Sequence, residues 1–380
     1  MVLTTPPLTK SHPIETLFAL QSTIEDYAKT LEMPIALMLD SYKDMVKLRC
    51  FDEQATKLQR SGRISFSVPS TGEEASHIGI VAAFEKEDWL YPYYRNQGML
   101  IQRGETFEQM FANLFGSSQD VGRGRQMPNH YSSKKHHFVS YSSVIGTQVA
   151  HGVGAAMALK IKGDTQHLVG TFLGDGATSA NDFHSGMTFA GVFKPPVLVG
   201  CINNQYAISL PVTQQIGSAT IAQKGLAYGL PSLQVNGNDL QAVYTATRAA
   251  TQFIREGKGP VFIEYLTYRR GPHTSSDDPS RYRSESAYQN WIDQDPIQTT
   301  YDFLVARGAW DATQDQSLWE ETRHSVQQAA RLASKVPTPA PETMFEDVYA
   351  TLPYSLEQQR AWHLAHEREL TLTAHGEFPI

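Results

Sequence analysis

The sequence predicts an α/β fold, a parallel sheet flanked by helices with helical extensions at both ends, and three stretches carry that expectation. Two short apolar runs, residues 167–173 and 197–202, have the length and composition of buried strands, and each ends in a polar turn, Gly174-Asp175-Gly176 and Asn203-Asn204. Between them Ser179-Ala180-Asn181-Asp182 opens a helical pattern, with Phe183, Met187, Ala190 and Gly191 at helix spacing, until Lys194-Pro195-Pro196 stops it. Together they make a strand-helix-strand unit of the roughly 30 residues such a unit needs. The third stretch, residues 260–266, is another apolar run that opens onto a long polar loop. If the strands are parallel, Asp175 and Asn204 emerge side by side at their carboxyl ends, where open α/β sheets bind ligands.

Composition narrows the class. A chain of 380 residues, 41% hydrophobic, can form one large α/β domain with extensions or two modest domains. Its net charge of -7 argues against nucleic acid as the main partner. Cys50 and Cys201 sit far apart in apolar settings, which fits a reducing compartment and excludes a cysteine-rich metal site. No apolar run approaches the ~20 residues of a membrane span. Residues 1–11 lack both a secretory core and an Arg-rich transit pattern, so the expectation is a cytoplasmic protein with no membrane partner.

Taken in order, the chain begins with a proline-bearing polar arm at Thr4-Thr5-Pro6-Pro7, residues 1–33, either wrapped over a neighbour or mobile. From Pro34 the spacing of Leu39, Tyr42, Met45 and Val46 predicts a helix to about Ser61-Gly62. Ser70-Thr71-Gly72-Glu73-Glu74 runs into a helix whose acid-rich start suits the helix dipole. Residues 89–98 are dense in aromatics and include Tyr94-Arg95, a pair suited to gripping a phosphate while the ring packs on the ligand. Gly122-Arg123-Gly124-Arg125 reads as a solvated basic loop near an anionic cofactor or partner. Gly152, Gly154, Ala155, Ala156 and Ala158 make a helix against which a second subunit or the chain's own sheet must press. A short strand at 233–235, a helix at 240–256 and the strand at 260–266 follow. The loop 269–284 is long, charged and rich in hydroxyls, as functional loops often are, and carries one imidazole, His273. Beyond Trp291 the pattern is helical, with one run at 310–335, a stiff linker at 335–341 and a helical tail at 345–369.

At the central rim Asp175 offers a hard anionic oxygen, Asn204 a neutral one, and the following turn a backbone carbonyl, that of Tyr206. Three oxygens suit a magnesium ion that completes its shell with diphosphate oxygens and water. Glycines on both sides of Asp175 and the helix start behind them favour close approach of an anion.

Gly-Asp-Gly, 26 intervening residues and Asn-Asn resemble the thiamine diphosphate signature shared by transketolases, pyruvate decarboxylases and 2-oxoacid dehydrogenases. The competing reading is a tight turn with a coincidental Asn pair, and the fixed second half disfavours it. Across about 34–362 the chain is similar to the alpha subunits of the decarboxylating component of 2-oxoacid dehydrogenase complexes, especially the branched-chain (2-oxoisovalerate) type. Gly62-Arg63-Ile64-Ser65-Phe66, Gly124-Arg125-Gln126-Met127-Pro128, His137-Phe138-Val139 and His273-Thr274-Ser275-Ser276-Asp277-Asp278 carry that likeness.

The resemblance implies a thiamine diphosphate-binding fold at 34–300 and a helical extension at 301–380. It implies magnesium held by Asp175, Asn204 and the Tyr206 carbonyl, and cofactor contacts from Tyr94, Arg95, Ser143, Gly176, Ala177 and His273. His273 would also assist acyl transfer to a lipoyl group. Ser142, Thr147 and Gln148 match a potassium site of the family, although Val144 stands where a proline is expected. Ile202 replaces an arginine that branched-chain members aim at the diphosphate, and Thr274 and Ser284 match positions phosphorylated in mitochondrial members. The implied partners are a beta subunit in an α2β2 heterotetramer, which supplies the glutamate for the aminopyrimidine, and a lipoyl acyltransferase component. The implied reaction is oxidative decarboxylation of a 2-oxoacid such as 3-methyl-2-oxobutanoate; pyruvate or acetoin dehydrogenase alpha subunits and a non-catalytic scaffold are the alternatives.

Overall fold

A computed structural model describes residues 13–366; the proline-bearing arm at Thr4-Thr5-Pro6-Pro7 and the end of the expected tail, to Glu369, lie outside them. Among the described residues there are seven strands: β1 (Trp89–Tyr91), β2 (Val169–Gly174), β3 (Val197–Asn203), β4 (Tyr206–Ala207), β5 (Leu210–Pro211), β6 (Ser232–Asn236) and β7 (Val261–Leu266). Five of them make an all-parallel sheet in the order β1-β2-β3-β7-β6, and β4 with β5 forms a small antiparallel hairpin. Among the described residues no helix is long and apolar enough to cross a membrane.

Successive strand residues point to opposite faces, and here both faces are buried. Leu168, Phe172, Leu198, Ile202, Val261, Ile263 and Tyr265 join one apolar cluster, while Val169, Leu173, Val197, Val199, Cys201 and Phe262 join the other. Covering the second face are the helices Thr147–Ile161 and Asn181–Phe193. Helices Glu74–Ala82 and Leu240–Arg255 contribute Ile78, Ile80, Leu240 and Val243 to the first.

That first core extends outward without a break. Tyr42, Met45 and Phe51 on the helix Ile35–Arg60 pack in it together with Leu304, Val326 and Ala329 from the helices Pro296–Ala306 and Ala312–Ala333. Within the N-terminal segment, the helix Pro13–Thr30 buries Ile24 in the same core, and Tyr27 donates to Glu256 at 2.7 Å. Its described part therefore lies on its own chain.

Three details differ from the sequence reading. Trp89–Tyr91 is an edge strand, paired with β2 from Trp89↔Val169, where the aromatic density had masked a three-residue element. The tail is not one helix from 345, because Pro353 stands before a helix that spans only Tyr354–Ala365. The small-residue helix turns one side to its own sheet, since a Cβ at Gly152 would meet Thr171 at 2.6 Å, while Gly154 has nothing within 4 Å.

Candidate functional site

The register of β2 on β3 sets Gly174 beside Ile202, so the turns that follow leave the sheet together. Asp175 and Asn204 line one cavity of about 420 Å³, within the range of small-molecule sites. The same cavity is lined by Tyr94, Arg95, Ser142, Ser143, Gln148, Gly176, Ala177, Tyr206 and His273. Residues as far apart in sequence as Phe66 and Thr274 are gathered here, and Thr147 donates to the Val144 carbonyl at 3.1 Å.

Asp175 is 2% exposed, and its carboxylate accepts from the Gln215 amide at 2.8 Å. Burial pushes its carboxyl up to about 6, with the Gln215 bond acting against that. A buried carboxylate whose hydrogen-bond donors are neutral has the character of a cation ligand. Asn204 turns its amide nitrogen to Glu73 at 2.8 Å and leaves its oxygen with one backbone donor, Tyr206 N, at 3.3 Å. Among the described residues no cluster of three His, Cys, Asp or Glu side chains is arranged to hold a metal. A divalent ion between Asp175 and Asn204 fits only if a bound anion and water complete its shell, as magnesium with a diphosphate does. The Tyr206 carbonyl accepts from Arg269 at 3.1 Å and keeps its second lone pair.

Beside the cavity, the potassium positions also meet a polar test. Ser142 Oγ accepts from Val144 N at 3.1 Å, and Gln148 donates to the Phe172 carbonyl at 2.9 Å. Its other end, Oε1, is buried with no partner, which leaves an oxygen suited to a monovalent cation.

Arg95 is placed differently from the phosphate grip expected of it. The guanidinium is buried and donates to the Pro69 carbonyl at 2.5 Å and to the His273 carbonyl at 3.0 Å, with His273 Nδ1 at 3.1 Å. Nδ1 therefore accepts, and the imidazole carries its proton on Nε2. Burial first, then the charges of Arg95 and Arg269, lower His273 to about 3, so it is neutral at physiological pH. Its backbone N–H donates to Asp277 at 2.7 Å, which ties the loop to itself.

Gly176 also has a different reason from close approach to an anion. A Cβ there would stand 2.6 Å from the Ala207 Cβ, so glycine lets the β4–β5 hairpin close over the turn. Ile202 is wholly buried in the core, and Arg269 reaches from beyond β7 to the Tyr206 and Ile208 carbonyls. The basic loop at 122–125 meets its own chain: Arg123 pairs with Asp347 at 2.5 Å, and Arg125 donates to the Thr343 carbonyl.

Sequence reasoning missed several residues. Glu73 was read as part of an acidic helix start, yet it is fully buried and accepts from Tyr93 and Asn204. Burial works to raise its pKa, but His77, Arg95 and Asn204 outweigh that and hold it below the usual carboxylate range. His130, a few residues beyond the basic loop, lines the cavity with Nε2 2.6 Å from Ser143 Oγ. Asp52 reaches Ser70 and Gln97 from the helix Ile35–Arg60 and props the loop that carries Phe66 and Val68 into the cavity. The signal available in each case was an acid inside an otherwise apolar helix pattern or a His beside a serine-rich loop, and neither is specific.

A family model described as the dehydrogenase E1 component matches residues 42–342. The chain is 41% identical over 332 residues to the mitochondrial 2-oxoisovalerate dehydrogenase subunit alpha of Caenorhabditis elegans, covering 87% of this chain and 77% of that one. Against the human mitochondrial 2-oxoisovalerate dehydrogenase subunit alpha it is 38% identical over 349 residues, 92% of this chain and 78% of that one. With subunit alpha 2 from Arabidopsis thaliana it shares 39% over 319 residues, 84% and 67% of the two chains.

Proposed function

Because the chain belongs to the dehydrogenase E1 component family, we propose that it is the alpha subunit of a branched-chain 2-oxoacid dehydrogenase, active with a beta subunit and thiamine diphosphate. One observation supports this most: Asp175 and Asn204 from one motif and His273 from another, far along the chain, border the same cavity.

In this reading thiamine diphosphate supplies the carbanion chemistry that decarboxylates a 2-oxoacid such as 3-methyl-2-oxobutanoate. Asp175, Asn204 and the Tyr206 carbonyl hold magnesium, and Tyr94, Arg95, Ser143, Gly176 and Ala177 border the cofactor. Ser142, Thr147 and Gln148 hold potassium. A neutral His273 with Nε2 protonated can donate a hydrogen bond during acyl transfer to a lipoyl group, while Arg95 keeps Nδ1 occupied and the ring oriented. Apolar side chains at the mouth exclude water only when something covers them: Val144 is 64% exposed and Ile208 56%. We assign that cover to the beta subunit, which also brings the acid for the aminopyrimidine, and the lipoyl acyltransferase component to the role of acyl acceptor.

The test is co-expression with a beta-type chain and measurement of carbon dioxide release from 3-methyl-2-oxobutanoate and from pyruvate, with and without magnesium and thiamine diphosphate. Cofactor-dependent turnover favouring the branched acid is the expected result. Preference for pyruvate would move the chain to the pyruvate type, and cofactor binding without turnover of either acid would make it a scaffold.

A further inference from the structure

Glu73 occupies the N-cap position of the helix Glu74–Ala82, and no part of it reaches solvent. Its Oε2 accepts from Tyr93 at 2.9 Å and its Oε1 from the Asn204 amide nitrogen at 2.8 Å, while Arg95 Nε and His77 Nε2 stand 3.5 Å away. The two ends of an asparagine amide are nearly the same shape, so the surrounding hydrogen bonds decide which end faces where. An ionised carboxylate accepts and never donates. It therefore selects the amino end of Asn204 and rejects the oxygen, which is left with only the Tyr206 N–H at 3.3 Å. The direction matters for chemistry, because the amide nitrogen of asparagine does not ligate magnesium and its oxygen does.

We propose that Glu73 is a positioning residue: it locks the Asn204 amide with its nitrogen inward, so that an oxygen is the atom offered to a divalent cation beside Asp175. This rests on the magnesium diphosphate reading above. Removing the carboxylate's negative charge, while keeping its shape, takes away the discrimination, because a primary amide at 73 accepts from one end of Asn204 and donates to the other. A fraction of the molecules then presents nitrogen to the cation.

The experiment uses the complex assembled with its beta subunit and follows Mn²⁺ binding by electron paramagnetic resonance with thiamine diphosphate present. Wild type, Glu73→Gln and the exchange Glu73→Gln with Asn204→Asp are compared. Glu73→Gln should weaken Mn²⁺ binding by about twofold or more, because an amide with no preferred direction offers its oxygen in only about half of the molecules. The exchange should return affinity to the wild-type value or tighter, because the amide at 73 now donates to a carboxylate that offers an oxygen whichever way it turns. It preserves the charge and shape of the pair, so its affinity decides the matter even where the single variant does not assemble. Wild-type affinity in Glu73→Gln, or an exchange variant that binds as weakly as Glu73→Gln, overturns the positioning role; in the second case the charge of Glu73 itself holds the ion. Absence of Mn²⁺ binding in wild type overturns the underlying magnesium reading and this inference with it.

Discussion

Replacing Asp175 by asparagine should stabilise the metal-free protein while removing its ability to hold a divalent ion. Burial raises the Asp175 carboxyl from 3.8 to about 6, so between those values the folded state holds a proton that the unfolded chain has released. Stability then falls as pH rises through the window, and the whole penalty is present above it. At 1.36 kcal/mol per pH unit, the span from 3.8 to about 6 makes it about 3 kcal/mol at pH 7.5 and about half that at pH 5. Asparagine keeps the shape and still accepts from Gln215, but never ionises. A chain of 380 residues has an unfolding entropy near 0.8 kcal/mol/K, so the gain at pH 7.5 is about 4 °C in Tm and at pH 5 about half that. Differential scanning calorimetry of wild type and Asp175→Asn, stripped of metal, measures it at the two pH values. A gain of equal size at both, or a loss at pH 7.5, would refute the claim that a dry, ion-poor setting dominates at this carboxylate. With magnesium and thiamine diphosphate added the order should reverse, since only wild type gains from binding.

His273 lies lower in the folded protein than in the unfolded chain, so its contribution to stability is present above about 6.5 and declines as pH falls towards about 3. Nitrogen-15 histidine spectra, assigned through His273→Gln, should show a ring protonated on Nε2 that does not titrate between pH 8 and 5; a midpoint near 6 contradicts the burial and charge that Arg95 and Arg269 impose. Gln148→Leu removes the unpartnered Oε1 and the bond to Phe172, and should abolish any rise in Tm on replacing choline chloride by potassium chloride while costing about 1–3 kcal/mol in either salt. An undiminished potassium effect in that variant would place the cation elsewhere.

Local signals made much of the frame legible. Apolar runs bounded by Gly-Asp-Gly, Asn-Asn and Lys-Pro-Pro announced β2, β3 and the helix between them to within a residue or two, because strands buried on both faces are continuously apolar and proline ends a helix. The short edge strand β1 escaped because three residues carry no periodicity. Asp175, Asn204 and His273 stood out because each closes a strand or opens a loop, and Tyr94 and Arg95 because an arginine beside an aromatic ring suits an anion; all five border one cavity.

What the amino-acid order determined by itself was the strand-helix-strand unit, the family, and the set of polar groups delivered to the sheet's carboxyl edge. Tertiary structure alone decided what those groups face. Arg95 binds the 273 loop, Gly176 makes room for Ala207, Tyr206 shares its carbonyl with Arg269, and Glu73 orients Asn204 across 131 positions of sequence. The physical reason is that hydrophobic periodicity is written between residues a few places apart, whereas the direction of a buried hydrogen bond depends on which distant donor the closed core brings within 3 Å.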